Sequence, residues 1–421
     1  MTRRIDRFLA LGALAAVAFY WLWVERTYLP NRWVADLQYW WIAGDLWWEG
    51  MTPYGDSYLA RGQAAFATFI YPFFYPPWSI PFMAGFPLVE PALASRLLLC
   101  FNLIVVIATA CYLSIVVSWP SSRLWQSAAR RFALIVVFGG IFYFPSVVAT
   151  MFGSLQFMLL AGLLVWIHGA RRESVLLQGI GIAILMLKPQ YGAALGLCCF
   201  IMPRYRMGAI ASGGVVALLF ILGGGGQDPI GLMLDWVANT ADYASFSPNA
   251  ADRAAGLGWI GAWIGYEPGV IETAGFILSA AAVFALTTRL REPVALGCMT
   301  LVIATFFYAG QFADFVLLIP LVSMLVLPAP LWSRAIFACG LFLLAQSHWV
   351  SATFWQASFQ EDLRIIAGIQ TPGLILAFFG ASSIAAAQPA APGRAAAASL
   401  WRRLRADGPR ALFSQEPVPR A

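Results

Sequence analysis

Long apolar runs recur along this chain, and they constrain its fold more than any other feature. A membrane-spanning helix needs about 20 mostly apolar residues, whereas a soluble domain carries about 25% charged residues. In this chain 61% of the residues are apolar and only 11% are charged, too few to cover a soluble surface. The sequence therefore predicts an all-α polytopic membrane protein with about twelve transmembrane helices. The runs lie near 8–24, 92–118, 132–150, 153–168, 173–187, 189–202, 207–222, 269–288, 293–309, 311–328, 334–350 and 364–387.

We expect one membrane domain over residues 1–387, followed by a disordered basic tail at 388–421 on the cytoplasmic side. The first apolar run lacks a cleavage site of small residues and leads directly into an aromatic loop, which indicates a retained signal anchor. Two outer loops, 25–91 and 223–265, are long enough to be functional. The glycines at 223–226 are followed by no phosphate-loop motif and are expected to form a flexible hinge.

The distribution of arginines predicts the orientation in the membrane. Lys and Arg concentrate in short cytoplasmic loops of membrane proteins. Most of the 26 basic residues fall in alternate loops and in the tail, while acidic residues collect in the intervening loops. Both termini are therefore expected in the cytoplasm and the long acidic loops outside. The net charge of +6 reflects this topology, and no basic domain indicates nucleic-acid binding.

Cysteine and histidine point away from redox and metal chemistry. All six cysteines lie in apolar runs, where the thiol behaves as a small hydrophobe. The only two histidines, His168 and His348, are far apart in sequence. We predict no cofactor and no histidine-rich metal site, although a divalent ion could still assist the reaction.

The first outer loop carries the strongest functional signal. Its segment 33–49 mixes tryptophan and tyrosine with carboxylates and predicts an interfacial helix on the outer leaflet. The proline-rich segment 75–88 is too short to span and predicts a second interfacial or re-entrant helix. Aromatic rings stack on sugars, and a carboxylate can act as a general base, so a lipid-borne carbohydrate suits this loop. Asp36 and Asp45 are two and a half helical turns apart and cannot form a carboxylate pair.

An ordered set of short motifs runs over roughly residues 1–330. The motifs are Asp36 before an aromatic helix, Gly50-Met51-Thr52-Pro53-Tyr54, Phe74-Tyr75-Pro76-Pro77, Gly153-Ser154-Leu155-Gln156, Lys188-Pro189 and Phe312-Ala313-Asp314. This ordered set resembles glycosyltransferase family 87. The resemblance implies a GT-C fold and a mannosyltransferase that uses a polyprenyl-phosphate sugar in the bacterial cytoplasmic membrane. The expected partners are the donor, a glycolipid or glycan acceptor and membrane lipids, without nucleic acid or a protein partner.

Two residues carry the predicted chemistry. Carried over from the family, Asp36 would be the catalytic base of an inverting transfer; the alternative is a solvated or helix-capping acid. Lys188 is the only lysine and lies at an outward-facing junction of two apolar runs. A cation at membrane depth usually has a partner, and the donor phosphodiester would be a natural one. The alternative is a lysine whose amine reaches the outer headgroups.

Six further residues are weaker candidates. Arg61 would assist Lys188 at the phosphate, or would simply be solvated. The others are expected to bind the sugar or the acceptor, each with a structural alternative: helix capping for Asp314, helix–helix contact for Gln156, solvation for Asp45, and loop shaping for the two tyrosines beside prolines. These sugar or acceptor candidates are Asp45, Tyr54, Tyr75, Gln156 and Asp314.

Two other functions remain open from the sequence. A transporter or flippase of lipid-linked sugars should show inverted repeats and charged residues near the midplane, and neither is visible. An enzyme of the O-antigen polymerase or ligase type would place its main residues in a large late loop, whereas the aromatic and acidic loop of this chain is early.

Overall fold

The computed structural model describes residues 2–28, 35–66, 72–116, 127–245, 255–266, 268–287, 290, 292–307, 312–327, 329–355 and 359–387, and this part of the chain contains helices but no strand. The predicted tail at 388–421 lies outside the described residues. The first half contains α1 Thr2–Tyr28, α2 Ala35–Trp48, α3 Asp56–Phe66, α4 Ile80–Met83, α5 Pro91–Val116, α6 Ala128–Val137, α7 Phe144–Phe152, α8 Gln156–Arg172 and α9 Val175–Leu185.

The second half continues with helices of similar character. One element, Phe312–Val326, is a 3-10 helix with Pro320 inside it. The α-helices are α10 Pro189–Ile201, α11 Arg206–Gly224, α12 Pro229–Ser245, α13 Leu257–Trp263, α14 Pro268–Thr287, α15 Pro293–Phe307, α16 Leu331–Trp355 and α17 Phe359–Ala386.

Four described helices are long and apolar enough to cross a membrane: Ile5–Thr27, Pro91–Ile115, Arg206–Gly224 and Arg364–Ala386. Their outward side chains include Phe19, 74% exposed, and Ile115, 75% exposed, as a hydrocarbon environment allows. Five shorter apolar helices accompany them: Val175–Leu185, Pro189–Ile201, Pro293–Phe307, Asp314–Leu325 and Leu331–Ser347. The all-helical fold is confirmed; the count of twelve spans and the GT-C type stay predictions.

Two of the predicted runs are not continuous α-helices. The run 132–150 is divided by a π-helical segment, Phe138–Phe142, and by Tyr143, which is extended. Gly140 lies in that segment against α1; a Cβ there would come within 2.8 Å of a Val17 methyl group, and Trp21 Nε1 donates to the Gly140 oxygen at 2.9 Å. The run 311–328 forms the 3-10 helix instead of an α-helix.

The described part of the first outer loop, residues 25–28, 35–66 and 72–91, is mostly helical. The prediction of a helix over 33–49 is confirmed by α2. The prediction of a single helix over 75–88 is wrong: two 3-10 turns, Pro77–Ser79 and Phe86–Leu88, flank the four-residue α4. Four prolines in this stretch remove backbone N–H donors and interrupt helical hydrogen bonding.

The second long loop also contains helices, α12 and α13. The glycine run ends α11: Gly225 and Gly226 take left-handed φ angles of 55° and 87°, which glycine adopts without strain. Helix α12 lies against the first loop, since Trp236 Nε1 donates to the Phe74 oxygen at 2.9 Å and Asn239 Nδ2 to the Phe73 oxygen at 3.2 Å.

Candidate active site

A single carboxylate oxygen joins three distant parts of the chain. Asp314 Oδ1 accepts a hydrogen bond from Lys188 Nζ at 2.6 Å and another from Gln156 Nε2 at 2.8 Å. Asp314 and Gln156 are each 2% exposed. A buried charge of this kind is stable only when it is paired and hydrogen-bonded. Three of the predicted site residues therefore form one buried polar cluster.

Each member of this cluster lies at the beginning of a helix, and the neighbouring sequence explains why two of those helices begin there. Helix α7 ends at Gly153, whose φ of 65° is typical of a glycine helix cap, and Gln156 begins α8 three residues later. Lys188 precedes α10, with Pro189 at the first helical position, where proline is favoured. Asp314 lies in the first turn of the 3-10 helix. The polar residues thus come from the ends of elements, as functional groups often do.

Asp36 faces the same cluster from the first outer loop. It lies in the first turn of α2 and keeps partial exposure. Loss of water contact raises the pKa of Asp36 to about 7, while the positive charge of Lys188 lowers that pKa and the negative charge of Asp314 raises it. The hydroxyl of Tyr58, fully buried, also lies within electrostatic range of Asp36. A carboxylate with a pKa near neutrality is suited to accept a proton.

Hydrogen bonds and one close contact fix α2 in this position. Trp47 Nε1 donates to the Leu222 oxygen at 3.2 Å, and Trp48 Nε1 donates to the Ala84 oxygen at 2.7 Å. Gly44 faces the Met83 carbonyl so closely that a Cβ would lie 2.5 Å from that oxygen. The helix therefore cannot rotate freely about its axis, which keeps Asp36 within electrostatic range of Lys188.

Asp45 belongs to a different cluster. Its carboxylate and that of Glu49 both form ion pairs with Arg61 on α3. The sequence predicted that Asp36 and Asp45 would point in different directions, and their separate partners confirm it. The positive charge of Arg61 is already balanced by two carboxylates within the loop.

Tyr54 and Tyr75 are joined by a hydrogen bond within the loop. The Tyr54 hydroxyl donates to the Tyr75 backbone oxygen at 2.6 Å, and both side chains are buried. The ring of Tyr75 also packs edge-on against Trp40, with the ring centroids 6.3 Å apart. These contacts connect the segment after Gly50 to the segment before Trp78.

Sequence reasoning missed two buried tyrosines. Tyr191 is fully buried in the first turn of α10 and interacts electrostatically with Asp314. Tyr58 approaches Asp36, and its hydroxyl donates to the Tyr39 oxygen at 3.3 Å. The position of Tyr191 three residues after Lys188 was the available signal; Tyr58 had none, because its role depends on how α3 packs against α2.

Together these groups provide a proton acceptor, a cation and a hydrogen-bonding amide near one another. A family model for glycosyltransferase family 87 matches residues 73–320, more than half of the chain. The chain belongs to glycosyltransferase family 87. Membership makes it a membrane glycosyltransferase. No curated protein and no solved structure gave a significant match.

The matched range of this family 87 member contains the buried cluster but not the whole site. Tyr75, Gln156, Lys188 and Asp314 lie within residues 73–320, whereas Asp36 precedes that range. The case for Asp36 therefore rests on its placement beside Lys188 and Asp314.

Proposed function

We propose that this glycosyltransferase moves a sugar, mannose by its family resemblance, from a polyprenyl-phosphate donor to a glycolipid or glycan acceptor. The reaction takes place at the outer face of the cytoplasmic membrane, with both termini inside. The observation that carries the proposal is that Asp36 of the first loop lies within electrostatic range of the buried pair formed by Lys188 and Asp314. One group can take a proton and the other can hold a phosphate, as such a transfer requires.

Asp36 acts as the general base in this proposal. It accepts the proton of an acceptor hydroxyl as that oxygen attacks the anomeric carbon of the donor sugar. The new glycosidic C–O bond forms while the bond from the anomeric carbon to the phosphate oxygen breaks. The electron pair of the broken bond leaves with polyprenyl phosphate, and attack opposite the leaving group inverts the anomeric centre.

Lys188 holds the donor phosphate and stabilises the charge that develops on it. A fixed ammonium in a site with little water is effective in this role, because the surroundings screen its field weakly. The side chain of Lys188 is 14% exposed, which leaves one side open to a ligand. The cation lies at the start of α10, where a helix N-terminus adds a favourable field for an anion.

Gln156 is the best-supported sugar contact. Its Nε2 is engaged by Asp314, while its Oε1 is buried and makes no hydrogen bond within the described part of the chain. Such an unpaired oxygen costs free energy until a donor reaches it, and a sugar hydroxyl would be one. The polar atoms of Arg61, Asp45 and Tyr54 are engaged with other loop residues, so we assign these side chains to support of the loop.

A transfer assay tests the proposal. The purified protein in nanodiscs is supplied with radiolabelled polyprenyl-phosphate-mannose and a membrane lipid extract, beside an Asp36→Asn variant of equal thermal stability. The proposal predicts a labelled, inverted product from the parent and at least about a hundredfold less from the variant.

Two results would contradict the proposal. Equal transfer by both proteins would remove Asp36 as the base. In sealed vesicles, movement of the donor across the bilayer without any transfer would indicate a flippase instead.

A further inference from the structure

The cation assigned to the phosphate has an anionic partner within the protein. Lys188 Nζ lies 2.6 Å from Asp314 Oδ1, with the two side chains 14% and 2% exposed. A buried ion pair is held by mutual attraction because little water is available to replace either partner. A donor phosphate reaching Lys188 must therefore compete with a carboxylate.

We propose that Asp314 is a positioning residue that holds Lys188 by its ion pair and releases it to the donor phosphate when the donor binds. This inference rests on the proposed function, and it assigns Asp314 to the control of donor binding. It also predicts an order of binding, in which the donor enters before the acceptor is activated.

Gln156 makes the exchange feasible. Its Nε2 donates to the same Asp314 oxygen at 2.8 Å, so the carboxylate keeps this hydrogen bond after Lys188 turns to the phosphate. An ammonium has three N–H donors on a flexible stem, which allows it to change partners by rotation of its side chain. In this proposal Lys188 moves between two partners, Asp314 and the donor phosphate, while Gln156 stays hydrogen-bonded to Asp314.

Asp36 would respond to this exchange because the same charges face it. The positive charge of Lys188 favours the ionised form of Asp36, and the negative charge of Asp314 disfavours that form. The neutral hydroxyl of Tyr58 lies nearby. A bound phosphate neutralises Lys188 and adds a negative charge, so the pKa of Asp36 rises in the donor complex. The base therefore becomes stronger once the donor is in place.

A binding experiment separates this role from a merely structural one. A radiolabelled polyprenyl phosphate without sugar is titrated into nanodiscs that hold the wild type, Asp314→Asn, Lys188→Met or a control, Asp6→Asn. Asp6 is matched because it also pairs with a basic residue, Arg130, at 2.8 Å between Oδ1 and Nε. If the Lys188–Asp314 pair is formed about 90% of the time, removing its carboxylate tightens binding about tenfold. Lys188→Met should weaken binding, and Asp6→Asn should leave it unchanged.

Folding defects are controlled with the double variant Lys188→Met/Asp314→Asn. Removing one member of a buried pair destabilises a protein more than removing both, so the double variant should melt above Asp314→Asn while binding polyprenyl phosphate no better than Lys188→Met.

A pH profile gives a second readout. Asp314→Asn should shift the acidic limb of kcat/KM for the donor to lower pH, because it removes a negative charge that faces Asp36.

The two possible failures are distinguishable. Weaker or unchanged binding by a folded Asp314→Asn protein overturns this inference while leaving the transfer reaction intact. Failure of the wild type to bind polyprenyl phosphate overturns both the donor assignment and the role of Asp314 in donor binding.

Discussion

Trp78 of the first outer loop donates a hydrogen bond from Nε1 to the backbone oxygen of Met186 at 2.8 Å. Met186 ends α9 two residues before Lys188. The loop that carries Asp36 is therefore joined directly to the turn that carries the cation. Trp78 also packs edge-on against Trp236 of the second loop, with the ring centroids 5.4 Å apart. Trp78 thus joins its own loop to two other segments around the site, the end of α9 and the second loop.

Trp78→Phe should weaken both stability and donor use. The phenyl ring keeps much of the contact with Trp236, but the partly buried Met186 oxygen loses its donor, at a cost of about 1 kcal/mol. We expect a lower melting temperature and a higher KM for the donor. The matched control is Trp48→Phe, which removes a similar bond to the Ala84 oxygen away from Lys188. It should lower stability without raising the donor KM, because Trp48 holds the helix of Asp36 and not the turn of Lys188; an equal rise in donor KM for both variants would contradict the account.

Gly153→Ala should destabilise the protein and displace Gln156. An alanine at φ 65° is strained by about 1–2 kcal/mol, and relief of that strain would shift the start of α8. The control is Gly213→Ala in the middle of α11, where a Cβ meets no atom within 4 Å. Because alanine favours helix, this change should raise stability by up to about 1 kcal/mol. Thermal unfolding of both variants provides the measurement. If both substitutions raised the melting temperature, the left-handed φ at Gly153 would be unimportant for stability.

Arg61→Met distinguishes the predicted phosphate contact from a structural role. Its guanidinium pairs with Asp45 and Glu49, so we expect the donor KM to change by no more than about twofold. The melting temperature should fall, because two carboxylates lose their cation. A large rise in donor KM at unchanged stability would instead indicate that Arg61 binds the donor phosphate.

The outward placement of the site can be tested by labelling. In a background without the native cysteines, a cysteine at the exposed Asp56 on α3 should react with an impermeant thiol reagent in intact cells. A cysteine at Glu173, which is also exposed and lies in a loop predicted to be cytoplasmic, should react only after lysis. The reverse pattern would place the first loop inside and remove the proposed acceptors from reach.

Local sequence patterns predicted the helices of this protein well. Helix α2 was expected over 33–49 and spans 35–48, and α5 was expected over 92–118 and spans 91–116. Prolines explain one error, the single helix expected over 75–88. That segment contains four prolines and forms two 3-10 turns and the four-residue α4 instead. The π segment after α6 was not foreseen; within it Gly140 lies close to Val17 of α1, a contact between residues far apart in the sequence.

The sequence predicted which residues belong to the candidate site, but it did not predict which of them contact one another. Asp36, Lys188, Gln156 and Asp314 were all singled out from motifs, yet nothing in the sequence paired Lys188 with Asp314, 126 residues away. Such pairings depend on how distant helices pack. The same limit applies to Arg61, whose partners Asp45 and Glu49 become neighbours only when α3 folds back on α2.

The pH dependence of a single turnover tests the central claim most directly. With the donor bound and acceptor in excess, the proton-accepting form of Asp36 sets the rate. The surrounding protein groups raise the pKa of Asp36 to about 7, and a bound phosphate raises it further. The wild-type rate should therefore fall about tenfold per pH unit below this pKa and reach a plateau above it. Asp36→Asn should be slower by about a hundredfold or more and should lose this transition. A wild-type rate independent of pH between about 5 and 8, or the same transition in Asp36→Asn, would show that another group takes the proton.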